Sequence, residues 1–159
     1  MKKHIEFVLI LLSFGSFVSA QNSIKIDTIR WSNFQIIIEL PLKSHSHIET
    51  YEEGFFQTIS CSDSTIINIH CGAMVSLPLI NTNKNVVTSK FILGKDVRVL
   101  RGYCASLNNG VKETKYFREE NYFKYGITVM YENADKSKLD YYDSILNNIK
   151  VINISKDMI

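Results

Sequence analysis

The sequence contains little proline, little glycine and few cysteines. Its 159 residues include two prolines, seven glycines and three cysteines. The low proline and glycine contents argue against a long disordered segment. A chain of this size buries roughly two-thirds of its unfolded surface, so it can fold around an apolar core without many disulfides. We therefore expect a protein whose stability comes mainly from packing.

Neither sign of charge is in strong excess. The chain has 18 Lys and Arg residues against 16 Asp and Glu residues, a formal net charge of +2. Nucleic-acid binding favours Lys and Arg concentrated on one surface, and an acidic membrane surface makes the same demand. We expect neither of them to be the partner of this protein.

Only the start of the sequence contains a long apolar stretch. Lys2 and Lys3 precede apolar residues 7–18, and Val18-Ser19-Ala20 supplies the small residues that a signal peptidase requires. Spanning a bilayer takes about 20 apolar residues, and this stretch is shorter. The pattern predicts a cleaved signal peptide at residues 1–20 and no membrane span in the rest of the chain.

The exported chain would begin at Gln21, and residues 21–159 have the size of a single domain. Its apolar residues mostly alternate with polar ones or form short runs, and both patterns are typical of strands. Strands are predicted at residues 24–29, 34–40, 55–61, 65–71, 86–93, 97–107, 111–117 and 122–131. A loop is predicted at 79–87, with tight turns at Asn108-Asn109-Gly110 and Glu119-Glu120-Asn121.

Two segments have helical features. Residues 138–149 carry apolar side chains at helical spacing, with Ser137 as the predicted N-cap. Residues 48–53 are predicted as a short helix that ends at Gly54. The predicted fold class is therefore α+β, a mostly antiparallel β-sheet with a C-terminal amphipathic helix packed on one face.

The C-terminal half carries a family resemblance. The strand Tyr125-Gly126-Ile127-Thr128-Val129-Met130-Tyr131 is followed by the helix Tyr141-Tyr142-Asp143-Ser144-Ile145-Leu146-Asn147-Asn148-Ile149-Lys150. This order of elements resembles the PsbP-type α/β sandwich, which includes Mog-like proteins and small exported bacterial proteins. The resemblance implies a protein that binds or assists other proteins, although a fold alone does not establish a function.

The three cysteines leave more than one pairing open. In the predicted hairpin Cys61 lies near Thr65, so Cys71 lies about 20 Å away along the strands, too far for a disulfide. The preferred pair is Cys71 with Cys104, and Cys61 with Cys104 is the alternative. Three buried free thiols are a further possibility.

Few residues suggest catalysis or metal binding. His45 and His47 lie close to Glu49 and Glu52, but zinc sites usually need three or four ligands, and a solvated loop explains these residues equally well. The sequence contains no Gly-x-Ser-x-Gly motif, no glycine-rich phosphate loop and no His-Glu-x-x-His motif. We therefore predict no catalytic, metal or cofactor site.

Two surface features suggest other roles. Aromatic and basic residues crowd the end of the predicted meander and form a candidate protein-binding patch of Tyr116, Arg118, Tyr122 and Lys124; alternatively, the aromatic residues pack beneath the C-terminal helix. Ser64, in the predicted turn Asp63-Ser64-Thr65, resembles an O-glycosylation acceptor of some exported bacterial proteins.

These observations predict an exported binding or adaptor protein without catalytic machinery, whose partner is another exported protein. An immunity or inhibitor protein directed against a toxin or hydrolase is the alternative. A hydrolase with an unrecognised site is the third hypothesis.

Overall fold

The computed structural model of the protein describes residues 24–73, 86–92, 95–108 and 111–154. Within these ranges the chain forms two antiparallel sheets and one α-helix. The helix, α1, is Leu139–Asn147, and a 3-10 turn at Lys136–Lys138 leads into it. None of the helices in the described ranges has the length and apolar character needed to cross a bilayer.

The smaller sheet has three strands in the order β1-β2-β10. Strands β1 (Ile24–Trp31) and β2 (Phe34–Pro41) form a hairpin, and β10 (Lys150–Asn153) pairs with the free edge of β2. Ser32, in the hairpin turn, has a φ of 53°. The first and last described strands of the chain therefore lie in one sheet.

The larger sheet has seven strands in the order β3-β4-β5-β9-β8-β7-β6. All of its neighbouring pairs are antiparallel. Its strands are β3 (Ser44–Tyr51), β4 (Gly54–Cys61), β5 (Ile66–Gly72), β6 (Val86–Ile92), β7 (Lys95–Asn108), β8 (Val111–Tyr122) and β9 (Ile127–Ala134).

The core lies between the large sheet on one side and the small sheet with α1 on the other. We call the face of the large sheet that meets this core the inner face. Alternation along each strand supplies the core side chains, as in β2, where Ile36, Ile38 and Leu40 are all fully buried. In α1, Tyr142 and Leu146 are buried at helical spacing. Burying one such aliphatic side chain contributes about 1.5–3 kcal/mol.

The predicted fold class is confirmed at this level, because the molecule is mostly antiparallel sheet with one short C-terminal helix packed against it. The hairpin predicted at 55–71 is also confirmed, with Cys61 hydrogen-bonded to Thr65 at 2.9 Å across its turn. Strand β7 ends at Asn108 and β8 begins at Val111, as a tight turn requires. The turn residues 109–110, loop residues 79–85 and the predicted signal peptide lie outside the described residues.

The predicted short helix at 48–53 is wrong, because these residues form the end of β3 and the turn into β4. Gly54 is not a helix terminus. A Cβ at Gly54 would collide with the carbonyl oxygen of Cys71, and it would lie 2.6 Å from the hydroxyl of Tyr51. Glycine is needed there because two strands and the Tyr51 ring approach each other closely.

The predicted turn at Glu119-Glu120-Asn121 is also wrong, since β8 continues through these residues to Tyr122. All three are fully buried. Asn121 is hydrogen-bonded to Arg98 and Thr128 on the neighbouring strands, whereas Glu119 and Glu120 accept hydrogen bonds from Asn121 and Arg118 of β8 itself. The chain turns instead at the 3-10 helix Phe123–Tyr125, and Gly126 closes it with a φ of 65°.

Ser137 is not the N-cap of α1. It lies inside the 3-10 turn, and the residue preceding the first helical residue is Lys138, whose side chain makes no capping hydrogen bond. The helix is therefore stabilised at this end by its packing rather than by a cap.

Candidate functional site

A cleft of about 270 Å³ opens between α1 and the inner face of β7, β8 and β9. We call it the α1 cleft. It is a shallow surface site rather than an enclosed cavity, and its walls are mainly aromatic. The residues that line it include Arg101, Tyr103, Tyr116, Tyr131, Leu139 and Asp143.

Strand register places these side chains together. Tyr103 of β7 lies opposite Tyr116 of β8, and their ring centroids are 6.2 Å apart. Arg101 lies opposite Arg118 in the same pair of strands, and Arg118 lies opposite Tyr131 of β9. Because directly paired residues of a sheet point to the same face, two adjacent rows of the inner face line the cleft.

A β-bulge sets the position of the helix over this floor. The pairing of β8 with β9 shifts by one residue between Arg118 and Tyr116, so β9 carries the extra residue. Asn133 of β9 lies at this shift with a φ of 61°, and its side chain donates to the carbonyl oxygen of Ser64 at 2.8 Å. The bulge redirects the chain toward α1, which brings Asp143 over Tyr131.

Behind the cleft lies a buried ion pair between Arg118 and Glu120, two residues apart on β8. The guanidinium of Arg118 also contacts the carboxylate of Asp143 at 3.1 Å and donates to the amide oxygen of Asn147 at 2.7 Å. Arg118 therefore links the sheet to two successive turns of α1. Burial opposes its charge, but Glu120 and Asp143 raise the pKa of Arg118 above its usual value.

Two tyrosine hydroxyls complete this network. Tyr122 donates to Glu120 at 2.6 Å and Tyr131 donates to Asp143 at 2.9 Å. Burial, then the neighbouring carboxylate, raises the pKa of each tyrosine well above its usual value. Both phenols therefore act as hydrogen-bond donors to carboxylates. At the cleft rim, half-exposed Arg101 lies 3.4 Å from Asp143.

The structure separates the residues of the predicted protein-binding patch. Tyr116 lines the α1 cleft, but Arg118 and Tyr122 are 2% and 1% exposed and belong to the interior. Lys124 lies exposed in the 3-10 turn that follows β8. As a contiguous surface patch the prediction is wrong, because β8 continues through the predicted turn at residues 119–121 and buries Arg118 and Tyr122.

A second group of polar side chains lies on the opposite, outer face of the large sheet. Direct cross-strand pairing aligns Phe56, His70, Thr128, Asn121 and Arg98 in one row across five strands. The Asn121 side chain donates to Thr128 at 2.9 Å and accepts from Arg98 at 2.6 Å. Hydrogen bonds therefore link β7, β8 and β9 along this row and help to fix the register of these three strands.

His70, in this row, is 1% exposed. Its ring stacks on Phe56 with a centroid distance of 4.0 Å, and its Nε2 lies 2.5 Å from the hydroxyl of Tyr51. Its Nδ1 is buried without a hydrogen-bond partner among the described atoms. Burial lowers the pKa of His70 below its usual value of 6.5.

Acidification should therefore destabilise the protein through His70. Below about pH 6.5 the unfolded chain binds a proton at this residue that the folded chain does not bind until a lower pH, so the free energy of unfolding falls across that interval. Urea unfolding between about pH 7.5 and about pH 5 should show a smaller decrease for His70→Gln than for the wild type. Equal pH dependence in the two proteins would contradict a neutral, buried His70.

His45 and His47, the histidines examined in the sequence as possible metal ligands, lie exposed on β3 rather than in a loop. His47 is 3.4 Å from Glu49 on the same strand. Among the described residues no group of three or more His, Cys, Asp and Glu side chains is placed to hold a metal ion. Ser64 lies exposed at the tip of the β4–β5 turn, and its glycosylation stays a prediction.

The predicted disulfide between Cys71 and Cys104 is wrong for this fold. Cys71 is on β5 and Cys104 on β7, and two other strands separate them. At about 4.8 Å per strand the Cα atoms are at least about 14 Å apart, while a disulfide needs about 7 Å or less. Cys61, on β4, is one strand further from Cys104, so the alternative pair fails too. All three are free thiols.

Thiol labelling should distinguish the three cysteines. Cys104 is exposed, whereas Cys61 and Cys71 are buried, and burial raises the pKa of Cys71 to about 12. In the native protein an alkylating reagent should modify one thiol, and in denaturant it should modify all three. Cys104→Ser should leave no rapidly modified native thiol. Two protected thiols that become reactive only after reduction would show a disulfide instead.

Comparisons with protein-family models, with curated proteins and with solved structures each return no match to this chain. The PsbP-type resemblance therefore stays a prediction, and a function for the α1 cleft depends on the residues that line it.

Proposed function

We propose that this protein is an exported binding protein without catalytic activity, and that it holds its partner, another exported protein, through the α1 cleft. The observation that carries the proposal is the composition of the cleft. Tyr103 is 37% exposed and faces Tyr116 at the rim, with half-exposed Arg101 beside them. Tyrosine and arginine are the residue types that most often dominate binding energy at protein interfaces.

The charged groups at the cleft support binding rather than chemistry. Arg118, Glu120 and Asp143 are engaged with one another and with two tyrosine hydroxyls. Such a network holds α1 at a fixed distance from the sheet, so the aromatic walls are already in place before a partner arrives. A preformed site loses less conformational entropy on binding.

The size of the cleft indicates how a partner would use it. A volume of about 270 Å³ suits one large side chain of a protein better than a complete drug-sized ligand. We expect a partner that inserts an aromatic or long aliphatic side chain between Tyr103, Tyr116 and Leu139. The PsbP-type resemblance supports this proposal only by the order of β9 and the C-terminal helix. The short helix predicted at residues 48–53 does not contribute to it, because these residues form the end of β3 and a turn.

Site-specific photo-crosslinking tests the proposal. Benzoylphenylalanine placed at Tyr103 should cross-link one protein in cells that export the chain. The same group at Phe123, which is 41% exposed and lies in the turn after β8, is the matched control and should not capture that protein. The identity of the captured protein separates an adaptor from an immunity protein. Absence of a product at Tyr103, or equal products at both positions, would refute binding through the cleft.

Export has its own test. Mass measurement of the protein recovered from the cell envelope or the medium should give a chain that begins at Gln21. A chain that retains residues 1–20 and stays in the cytoplasm would contradict this part of the proposal.

A further inference from the structure

Strand β3 forms one edge of the large sheet, and its outer backbone edge is open in the described part of the structure. It pairs with β4 over eight residues without a register shift, and no described strand lies on its other side. Ser44 is buried, but every residue from His45 to Tyr51 is exposed. Natural edge strands are usually protected by a bulge, a proline or a lysine, and residues 45–51 contain none of these.

The open part of this edge has defined ends. At one end the carbonyl oxygen of Ser44 accepts a hydrogen bond from the Lys25 ammonium at 3.2 Å. At the other end the chain turns after Tyr51 into β4. The segment available for pairing therefore runs from His45 to Tyr51, and its middle residue is Ile48. Ile48 is also an exposed apolar side chain, with 55% of its surface accessible.

The sequence of this segment is complementary to itself in an antiparallel arrangement. When two copies pair about Ile48, His47 of each copy lies opposite Glu49 of the other. Ile48 then lies opposite its own counterpart and Ser46 lies opposite Thr50. An imidazole opposite a carboxylate can donate a hydrogen bond to it, and apolar side chains that face each other directly also stabilise a sheet.

The charged residues that flank His45–Tyr51 are also complementary between two antiparallel copies. Lys43 precedes the strand, and Glu52 and Glu53 follow it. In the antiparallel arrangement the basic end of one copy meets the acidic end of the other. A shift of two residues that centred the pairing on Glu49 would oppose two glutamates instead. Charge therefore favours the register centred on Ile48.

We propose that two copies of this chain associate through their β3 strands, antiparallel and centred on Ile48, so that their large sheets become continuous. The interface is isologous, with a two-fold axis that passes through the Ile48 pair perpendicular to the sheet. It lies on the β3 edge of the large sheet, whereas the α1 cleft lies on the inner face of β7, β8 and β9, so it does not depend on the proposed binding function.

Charge exchange at this strand tests the proposal in the full mature chain. Sedimentation equilibrium should show a concentration-dependent dimer for the wild type. His47→Glu and Glu49→Lys should each weaken it, and Ile48→Lys should raise the dimer Kd by at least about tenfold, because two lysines then face each other. All three positions are exposed, so circular dichroism should show that the variants remain folded.

Rescue gives the sharper result. The double variant His47→Glu/Glu49→Lys should dimerise like the wild type, because it restores opposite charges across the axis. Mixing the two single variants should produce a heterodimer, which pairs Glu with Lys at one position and His with Glu at the other. A monomeric wild type, a dimer that Ile48→Lys leaves intact, or failure of both rescues would overturn the proposal. If the protein is a monomer and its β3 edge instead pairs with a strand of a different protein, the claim that a second copy occupies this edge is wrong.

Discussion

Replacing Arg118 with methionine should lower the free energy of unfolding by about 3–5 kcal/mol, because it removes one partner of the buried ion pair that Arg118 forms with the carboxylate of Glu120. Arg118 is 2% exposed and Glu120 is fully buried. After the substitution Glu120 keeps the hydroxyl of Tyr122 at 2.6 Å, which does not neutralise a charge. Urea unfolding at neutral pH measures the difference.

Matched variants separate the ion pair from general disturbance of the site. Arg101→Met removes a half-exposed partner of Asp143 and should cost at most about 1 kcal/mol. Arg118→Met/Glu120→Gln removes both buried charges and should recover part of the loss. If Arg118→Met does not fold, Tyr122→Phe should still cost about 1.5–3 kcal/mol, because it removes a hydrogen bond to a charged group. Equal effects of Arg118→Met and Arg101→Met would contradict the buried ion pair.

Replacing Leu146 with alanine should have a comparable effect, a loss of about 2–5 kcal/mol. Leu146 is fully buried in the core beneath α1, and truncation leaves a cavity there as well as removing apolar contact. Leu139→Ala is the control, since the same change at the partly exposed first residue of the helix should cost less than about 1.5 kcal/mol. Thermal and urea unfolding measure both.

Comparing Leu146→Ala with Leu139→Ala also tests whether packing of α1 on the sheet forms the α1 cleft. Loss of Leu146 should loosen α1 and increase hydrogen exchange of its amides before global unfolding. If Leu146→Ala and Leu139→Ala destabilise the protein equally, the helix is not held to the sheet through Leu146. The helix would then be a poor support for a preformed site.

Some elements are predictable because their signals are local. The hairpin of β4 and β5 follows from alternating apolar residues on either side of a polar turn, and α1 follows from its 3.6-residue period. The register of that hairpin was also correct, with Cys61 beside Thr65.

Other elements depend on partners that are far apart in the sequence. Three adjacent polar residues at 119–121 resemble a turn, yet Asn121 is bonded to Arg98 and Thr128 on the neighbouring strands. Similarly, β3 has no pattern of buried apolar side chains, since Ile48 is exposed, so its pairing with β4 decides its conformation. Local propensity contains no information about these pairings.

The candidate site is harder to predict than the fold. Tyr116, one residue of the predicted patch, lines the α1 cleft, but its cleft neighbours Tyr103 and Asp143 come from another strand and from the helix. Their approach depends on the bulge at Asn133, which appears in the sequence only as one polar residue among several. The sequence predicts Arg118 at the surface because charged residues are rarely buried unless they are paired, and it predicts the partner, Glu120, in a turn.

Binding through the α1 cleft is tested most directly by the affinity of the protein that cross-links to position 103. Calorimetric titration should show that Tyr116→Ala raises the Kd for that partner by at least about thirtyfold, as expected of an aromatic hot spot. Phe123→Ala, which removes an exposed aromatic ring outside the cleft, should change it by less than about threefold. Equal affinities of wild type and Tyr116→Ala, in a variant that circular dichroism shows to be folded, would contradict the role assigned to the α1 cleft.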